Sequence, residues 1–550
     1  MKLTSREKKI FFISILFLLF GIKLFIVSIQ PIYILNYIHD DSLFVLRSFN
    51  ILNGNYLGNY NDIILSKGII GSLFIALANI TKLGYLKANH LIYFIACLSI
   101  IHMLSNVIKS KKWLLIIYII ILFNPISYSD AVSFVYRDGI YISLIMLFFS
   151  LSFEMFFNYK SLKKIIFYSI TFGITFTCIY LCREETTWLY PYLILQYLII
   201  TLFIIKDKSC LKKFKKIISM VVLPVVILGL SCTWIATLNY KYYQRFVIND
   251  FTSKDFKDAY GALTRIKQDD YINRVPLNKK NRLKLYELSP TFNELKSYLE
   301  NDGLKYTNEH QNEYNEGFLY WAVREGAYKL GYYQNAQKAK DFYKRLANEI
   351  NDLCDNNKLS CYSKRSSLTA PFIKEEYSEF AKYVPKTFIT QLNYSNVYVK
   401  IPNKNKTNRL FNEITLNKDN YTNKDLKSVR LKVMNLILRI YQNINIYLMI
   451  ISIVLYTILI VKFFKTNFKN YKEIIVLSAL FCLYIVRILA VAFVAATEYK
   501  SAINKCQYLS CCYVIQSLFT ILAIIFFLKE YKNAIFNLSK RINRSNKIKH

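Results

Sequence analysis

The stretch Ile10–Ile29, IFFISILFLLFGIKLFIVSI, decides the fold class. A helix needs about 20 apolar residues to cross the roughly 30 Å of bilayer hydrocarbon, and this run has that length. It carries a single charge, Lys23, and stands directly behind Lys8 and Lys9. A secretory leader also starts this way, but Val27-Ser28-Ile29-Gln30 offers no small-x-small cleavage site. The run therefore reads as a retained first span. Comparable runs recur at Asn89–Ile108, Trp113–Phe123, Gly139–Phe157, Ile165–Leu181, Thr187–Ile205, Ile217–Leu238, Asn443–Val461, Glu473–Ala495 and Cys506–Leu528. The Trp113 run extends through Asn124-Pro125-Ile126. Gly68–Ile80 is too short to span and suits an interfacial or re-entrant helix. Ten spans are predicted.

Composition agrees. The chain has 550 residues, 54% of them hydrophobic, and a mean hydropathy of +0.23, which excludes an ordinary cytosolic protein. Only 14 Gly and 9 Pro are present, too few for a disordered or collagen-like chain. Lys and Arg total 72 against 36 acidic residues, a net charge of +36. In a soluble protein that excess would suggest nucleic acid. Here much of it falls in short segments between the spans: Lys2, Arg6, Lys8 and Lys9; Lys109, Lys111 and Lys112; Lys160, Lys163 and Lys164; Lys206, Lys208, Lys212, Lys213, Lys215 and Lys216; Lys462, Lys465, Lys469 and Lys472; and the tail from Lys529 to Lys549. With ten spans all of these lie on one side, which the positive-inside rule makes the cytoplasm. The expectation is an all-α polytopic protein of the bacterial inner (plasma) membrane with both termini cytoplasmic. Its partner is the lipid bilayer, not nucleic acid.

Four regions follow. Residues 1–240 form an N-terminal membrane domain of seven spans, with a first external loop at 30–66. Residues 241–441 form a mainly helical extracytoplasmic domain, 442–528 three C-terminal spans, and 529–550 a basic cytoplasmic tail. In the external domain helical patterns lie at Ser289–Asp302, Glu316–Leu330 and Gln334–Asp355; the last aligns Ala339, Phe342, Tyr343, Leu346, Ile350 and Leu353 on one face. Pro371, Pro385 and Pro402 mark a less regular stretch. Cys354 and Cys361 differ from the other cysteines in lying outside the apolar runs, and in an oxidising compartment they would pair as a disulfide. CxxC, HExxH, P-loop, GxGxxG and GxSxG motifs are absent, which weighs against a zinc protease, an ATP-driven pump and a Rossmann enzyme.

Three charged clusters end at the outer face: His39-Asp40-Asp41-Ser42, ahead of the amphipathic stretch Leu43–Leu52; Tyr136-Arg137-Asp138; and Cys182-Arg183-Glu184-Glu185. Lys67 joins them from the end of the first loop. Each has an ordinary structural explanation. Either aspartate can cap the Leu43 helix, and Asp138, Glu184 and Glu185 can settle helix N-termini. The arginines can snorkel, and Trp188 can join the aromatic belt. Ionisable groups near bilayer depth are nevertheless costly, and together they point to partners or a cavity.

Asp40-Asp41 in a long first external loop, followed by Asn53-Gly54-Asn55-Tyr56 and Leu65-Ser66-Lys67-Gly68, with Arg137-Asp138 and Arg183-Glu184 beyond, resembles the C-type (GT-C) superfamily of integral-membrane glycosyltransferases. That superfamily includes the protein O-mannosyltransferase and aminoarabinose-transferase type. The resemblance spans about residues 1–240. It implies transfer of a sugar from a polyprenyl-phosphate carrier to an extracytoplasmic acceptor: an envelope glycan, a lipid or a protein. Asp40 or Asp41 would activate or orient the acceptor hydroxyl. Lys67, Arg137 and Arg183 would neutralise the leaving phosphate, with Asp138, Glu184 and Glu185 orienting the arginines. The resemblance implies no particular cofactor; a divalent cation at Asp40/Asp41 is the alternative use of that pair. Trp321 and the many tyrosines read as packing. Two other classes stay open: a transporter or flippase of lipid-linked glycans, expected to show broken helices and mid-membrane polar residues, and a non-catalytic membrane assembly protein, expected to tolerate Asn at Asp40 and Asp41.

Overall fold

In the computed structural model, residues 4–307, 312–400, 409–417, 428–466 and 470–548 are described; Lys2, Pro402, Lys469 and Lys549 lie outside them. In chain order the main helices are α1 (Ser5–Val27), α2 (Asp41–Leu52), α3 (Ile70–Ile80), α4 (Tyr85–Leu104), α5 (Lys111–Leu122), α6 (Asp138–Phe157), α7 (Leu162–Cys182), α8 (Tyr190–Lys206), α9 (Lys213–Tyr243), α10 (Lys254–Thr264), α11 (Glu316–Lys329), α12 (Ala336–Asp355), α13 (Lys374–Leu392), α14 (Val429–Lys465), α15 (Tyr471–Thr497) and α16 (Cys506–Ile548). Among the described residues the only β-pairing is isolated bridges, such as Tyr33 to Phe134. The chain is an all-α polytopic protein.

Among the described residues nine helices are long and apolar enough to cross a membrane: α1, α4, α6, α7, α8 with its preceding turn, α9, α14, α15 and the first part of α16. The tenth expected span is a bent pair, α5 and Pro125–Ser133, meeting at 44°. The bend falls at Asn124-Pro125, where Pro removes a backbone donor and the Asn124 side chain caps the next turn by accepting from Ile126 N at 3.1 Å. The short helix α3 forms where an interfacial piece was expected. The spans pack through α7 on α9, α6 on α7, α4 on α6 and α15 on α16. Their outward faces, such as Val225, Leu230 and Trp234 of α9, are apolar, as a bilayer-facing surface requires.

A second core lies between α9 and α13. The predicted stripe of α12 is buried along its length: Ala339, Phe342, Tyr343, Leu346, Ile350 and Leu353. Cys354 and Cys361 are disulfide-bonded. This core is continuous with the first loop: Leu57, Ile63, Ile64 and Leu65 pack with Phe251, Tyr260 and Trp321. Arg324 of α11, fully buried, fixes that junction by donating to the Asp62 carbonyl and to Asp250 Oδ2 at 3.0 Å.

Three expectations about helices change. Ser289–Asp302 is not one helix but short turns at Pro290–Asn293 and Lys296–Leu299, followed by a 3-10 turn. There Glu349 of α12 draws the segment in, accepting from Thr291 N at 2.9 Å and from the Ser289 and Thr291 hydroxyls. Pro385 lies inside α13 rather than in irregular chain, because α13 is held along α15 and that packing outweighs the lost backbone bond. Helix α14 starts at Val429, well before the apolar run at Asn443; its added turns bury Leu431, Met434 and Leu438.

Candidate functional site

Local folding decides what each aspartate of the first loop can do. Asp41 opens α2, and its carboxylate turns back to accept the backbone N–H groups of Leu35, Asn36 (2.9 Å) and Tyr37 (2.8 Å). It is fully buried, and both of its oxygens serve the turn. Asp40 sits at the N-cap with no capping bond and faces the other way. Its Oδ1 accepts from Lys67 Nζ at 2.8 Å and from the Tyr136 hydroxyl at 3.0 Å, and Lys67 also reaches the Tyr136 hydroxyl at 3.1 Å. Oδ2 takes no hydrogen bond among the described residues. Burial alone would raise the Asp40 pKa; Lys67, Arg137 and Tyr136 outweigh it and hold the carboxyl at about 2.

The backbone explains why Lys67 and Tyr136 arrive together. Arg47 of α2 is fully buried and donates to the carbonyls of Ile64, Lys67 (3.1 Å) and Gly68 (3.3 Å), pinning the Lys67 turn. The Tyr33–Phe134 bridge, with Tyr33 N to Ser133 O and Val135 N to Tyr33 O both at 3.0 Å, draws the Tyr136 segment alongside the first loop. Gly68 lets that turn touch the end of α7: a Cβ there would sit 2.1 Å from the Leu181 carbonyl oxygen.

The two arginines follow in sequence. Arg137 donates to Glu184 Oε2 at 2.5 Å and to the Cys182 carbonyl at 3.2 Å; Glu184 Oε1 accepts from Gly68 N at 2.8 Å. Arg183 pairs with Asp138 and with Glu185, the latter through Nε at 2.8 Å, and lies over the Tyr141 ring at 5.0 Å. Neither arginine snorkels, since both are buried and paired with carboxylates. Trp188 is buried rather than in a lipid belt; its Nε1 donates to the Tyr141 hydroxyl at 3.0 Å, and Arg487 lies over its ring at 5.0 Å.

Asp40, Lys67, Arg137, Asp138, Arg183, Glu184 and Glu185 thus form one contact network; Asp41 supports it from behind. Cys354, near the end of α12, and Cys361, beyond it, pair with each other. The cation alternative does not fit. Asp41 offers no free oxygen, and Asp40 faces an ammonium group. Among the described residues, no group of three or more His, Cys, Asp and Glu side chains could hold a metal ion.

Several neighbours were given no role from the sequence. Arg47 could have been noticed as a charge inside the apolar stretch Leu43–Leu52. Tyr136 stands beside Arg137 but is one of 45 tyrosines. His39 stacks on Trp321 at 4.3 Å and meets the Tyr306 hydroxyl at 2.7 Å, closing the outer side with residues of the external helices. Arg487 and Tyr508 come from the last spans, hundreds of residues away.

Beside the network lies an apolar cavity of about 550 Å³ between α3, α7 and α9, lined among others by Ile69, Ile70, Leu181, Ile227, Leu230 and Trp234. Ile69 follows Lys67-Gly68 directly, and Leu181 closely precedes Arg183.

No family model matches the chain, and no curated protein matches it. Among solved structures it is similar to ArnT from Cupriavidus metallidurans in the apo state, with 10% identity, 94% of this chain and 78% of that chain covered, and a TM-score of 0.31.

Proposed function

We propose that the chain is a membrane glycosyltransferase of the GT-C type, moving a sugar from a polyprenyl-phosphate carrier to an extracytoplasmic acceptor. The observation that carries this reading is the junction of the charged network with the apolar cavity. An isoprenoid phosphate has the same two halves, a tail that seeks apolar walls and an anion that seeks cations. The tail would occupy the cavity between α3, α7 and α9, and the phosphate would meet Lys67 first. Among the described residues Lys67 is hydrogen-bonded to Asp40 and Tyr136 and lies over the Trp321 ring at 5.8 Å, and the Asp40 side chain is 39% exposed, so water can replace its lost partner. Arg137 and Arg183 are sealed in their carboxylate pairs and would contribute field rather than direct contact. Asp40, released from Lys67, would orient the acceptor hydroxyl through its free Oδ2. The external helices would cover the site and select the acceptor. On this reading the network faces away from the cytoplasm, and both termini are cytoplasmic.

The test uses the full chain in cells lacking it, with surface glycans read by mass spectrometry. Asp40→Asn and Lys67→Met should each lower the chain-dependent glycan by about 100-fold with protein levels unchanged. Asp41→Asn should instead lower the amount of folded protein, because it loosens the Leu35–Tyr37 turn. Normal glycans in the Asp40→Asn and Lys67→Met variants would overturn the assignment.

One observation favours a second reading, a transporter of lipid-linked glycans. The α5 span is broken, and Lys23, buried within α1, donates to Ser127 at that break at 2.8 Å. Lipid-linked glycan crossing a vesicle bilayer, with no sugar transferred, would select it.

A further inference from the structure

His39 stands one residue before Asp40, and the external helices hold its ring at two points. The imidazole stacks on Trp321 of α11 with the ring centres 4.3 Å apart, and Nε2 meets the Tyr306 hydroxyl at 2.7 Å. Lys67 uses the same indole, its Nζ lying 5.8 Å from the ring centre. His39 and Lys67 thus share one ring, and Lys67 in turn binds Asp40 at 2.8 Å. The hydrogen bonds decide which imidazole nitrogen is free. The Tyr306 hydroxyl donates its one proton to Glu325 Oε2 at 2.5 Å, so toward His39 it accepts. Nε2 therefore carries the ring proton, and Nδ1 keeps its lone pair. Lys305 Nζ holds Glu325 from the other side at 2.6 Å. Nδ1 is buried and takes no hydrogen bond among the described residues. A buried acceptor without a donor costs about 1–3 kcal/mol, and such atoms as a rule have a partner.

We propose that His39 Nδ1 is the proton acceptor of the transfer reaction, and that the acceptor hydroxyl is the donor this nitrogen lacks. This rests on the glycosyltransferase reading above, in which Asp40 orients the hydroxyl and Lys67 meets the phosphate. The acceptor oxygen forms its bond to the anomeric carbon, and the bond from that carbon to the phosphate oxygen breaks. The phosphate leaves with the electron pair, and the hydroxyl proton passes to Nδ1. The imidazolium so formed keeps its Nε2–H on Tyr306, with the Glu325 carboxylate behind it to stabilise the positive charge. Asp40 suits this proton less well, because against its burial Lys67, Arg137 and Tyr136 hold its carboxyl at about 2.

The groups facing the ring are Asp40 and Lys67 from the first loop, Lys305 and Tyr306 from the 3-10 turn Asp302–Tyr306, and Trp321 and Glu325 from α11. Burial is the largest influence and lowers the His39 pKa to about 4; Asp40 and Glu325 oppose the fall, and Lys67 and Lys305 add to it. The ring is therefore neutral and able to accept a proton at ordinary external pH. A phosphate at Lys67 would offset that cation and strengthen the base as transfer begins. Below its pKa His39 is protonated and cannot accept, so the rate should rise with external pH through about 4 and level above it.

The experiment uses right-side-out vesicles that carry their own lipid-linked sugars, from a strain whose only copy of the chain is the full-length protein or a variant. Sugar transfer is followed by mass spectrometry across the acid limb and up to neutral pH. His39→Gln keeps an amide donor for Tyr306 but has no basic nitrogen. It should keep the melting temperature, lower the rate by about 100-fold and lose the acid limb. His39→Ala should fall as far, and added imidazole should return part of its rate, which a purely structural role does not predict. Wild-type rate or an unmoved acid limb in His39→Gln, or a His39→Ala loss that imidazole leaves untouched, would overturn this proposal. If Lys67→Met still abolishes transfer in that case, the transferase reading stands. No chain-dependent transfer in the wild type would overturn both.

Discussion

Replacing Gly68 with Ala tests whether the turn that carries Lys67 must touch the end of α7. The added Cβ would lie 2.1 Å from the Leu181 carbonyl oxygen and 2.8 Å from its carbon, and neither is the tip of a side chain that can swing away. Ordinary contact begins near 3.4 Å, so the two segments must separate by more than 1 Å. Three bonds are strained by that movement: Gly68 N to Glu184 Oε1 at 2.8 Å, and Arg47 to the Lys67 and Gly68 carbonyls at 3.1 and 3.3 Å. Overpacking of this kind costs about 1–3 kcal/mol of stability. A displacement of about 1 Å at reacting groups costs on the order of 100-fold in rate. The variant should therefore insert and fold with a lowered melting temperature, while the surface glycan falls by about 100-fold. Gly229→Ala is the control, because a Cβ at Gly229 in α9 meets nothing within 4 Å. Thermal unfolding in detergent and glycan mass spectrometry read the two effects. If Gly68→Ala matches Gly229→Ala in both, the tight turn has no bearing on the site.

Two other expectations concern the scaffold. Asp138→Asn leaves the buried Arg183 with only Glu185, whose side chain is 42% exposed, so it should cost about 3 kcal/mol and lower the melting temperature more than Glu185→Gln does; the reverse order would mean that the Asp138 pair is not the anchor. The Cys354–Cys361 bond closes a short loop and should contribute about 2 kcal/mol; Cys354→Ser with Cys361→Ser should lower the melting temperature accordingly, and alkylation of intact cells should leave both thiols unlabelled until a reductant is added.

How far the sequence could be read follows from what each feature depends on. The spans depend on local composition, so the apolar runs revealed nearly all of them, and the basic segments between the runs imply one consistent orientation. The α12 face is a local periodicity and was legible for the same reason. The errors lie where tertiary contact decides. Pro385 argues locally against a helix, yet α15 supports one; Asn443 marks the apolar start of α14, but polar turns extend it to Val429 because Leu431, Met434 and Leu438 find a core. The site shows the same division. Three clusters of acid and arginine at one face could be recognised, but the separate placement of Asp40 and Asp41 could not. Both are aspartates near a helix start, and only the fold of Leu35–Tyr37 commits Asp41 to the backbone. Arg487 and Tyr508 had no local signal, since nothing in a span predicts which loop it will meet.

The pairing of charges bears on how an anion could enter. Lys67, Arg137 and Arg183 each have a carboxylate partner among the described residues. Burial is graded along it. The Arg183–Asp138 side chains are 4% and 1% exposed, Arg137–Glu184 7% and 18%, and Lys67–Asp40 13% and 39%. Separating a buried pair strands charges that water cannot reach, whereas separating the outermost pair returns a carboxylate to solvent. On the proposed transferase reading, an incoming phosphate would therefore exchange with Asp40 at Lys67 and leave the inner pairs intact. That exchange would also remove the cation that holds the Asp40 carboxyl low, so the donor's arrival would raise the base strength of Asp40. Lys67 would thereby link donor binding to the state of Asp40, and an arginine at that position, always charged and able to hold phosphate and carboxylate together, should bind the donor while keeping Asp40 engaged.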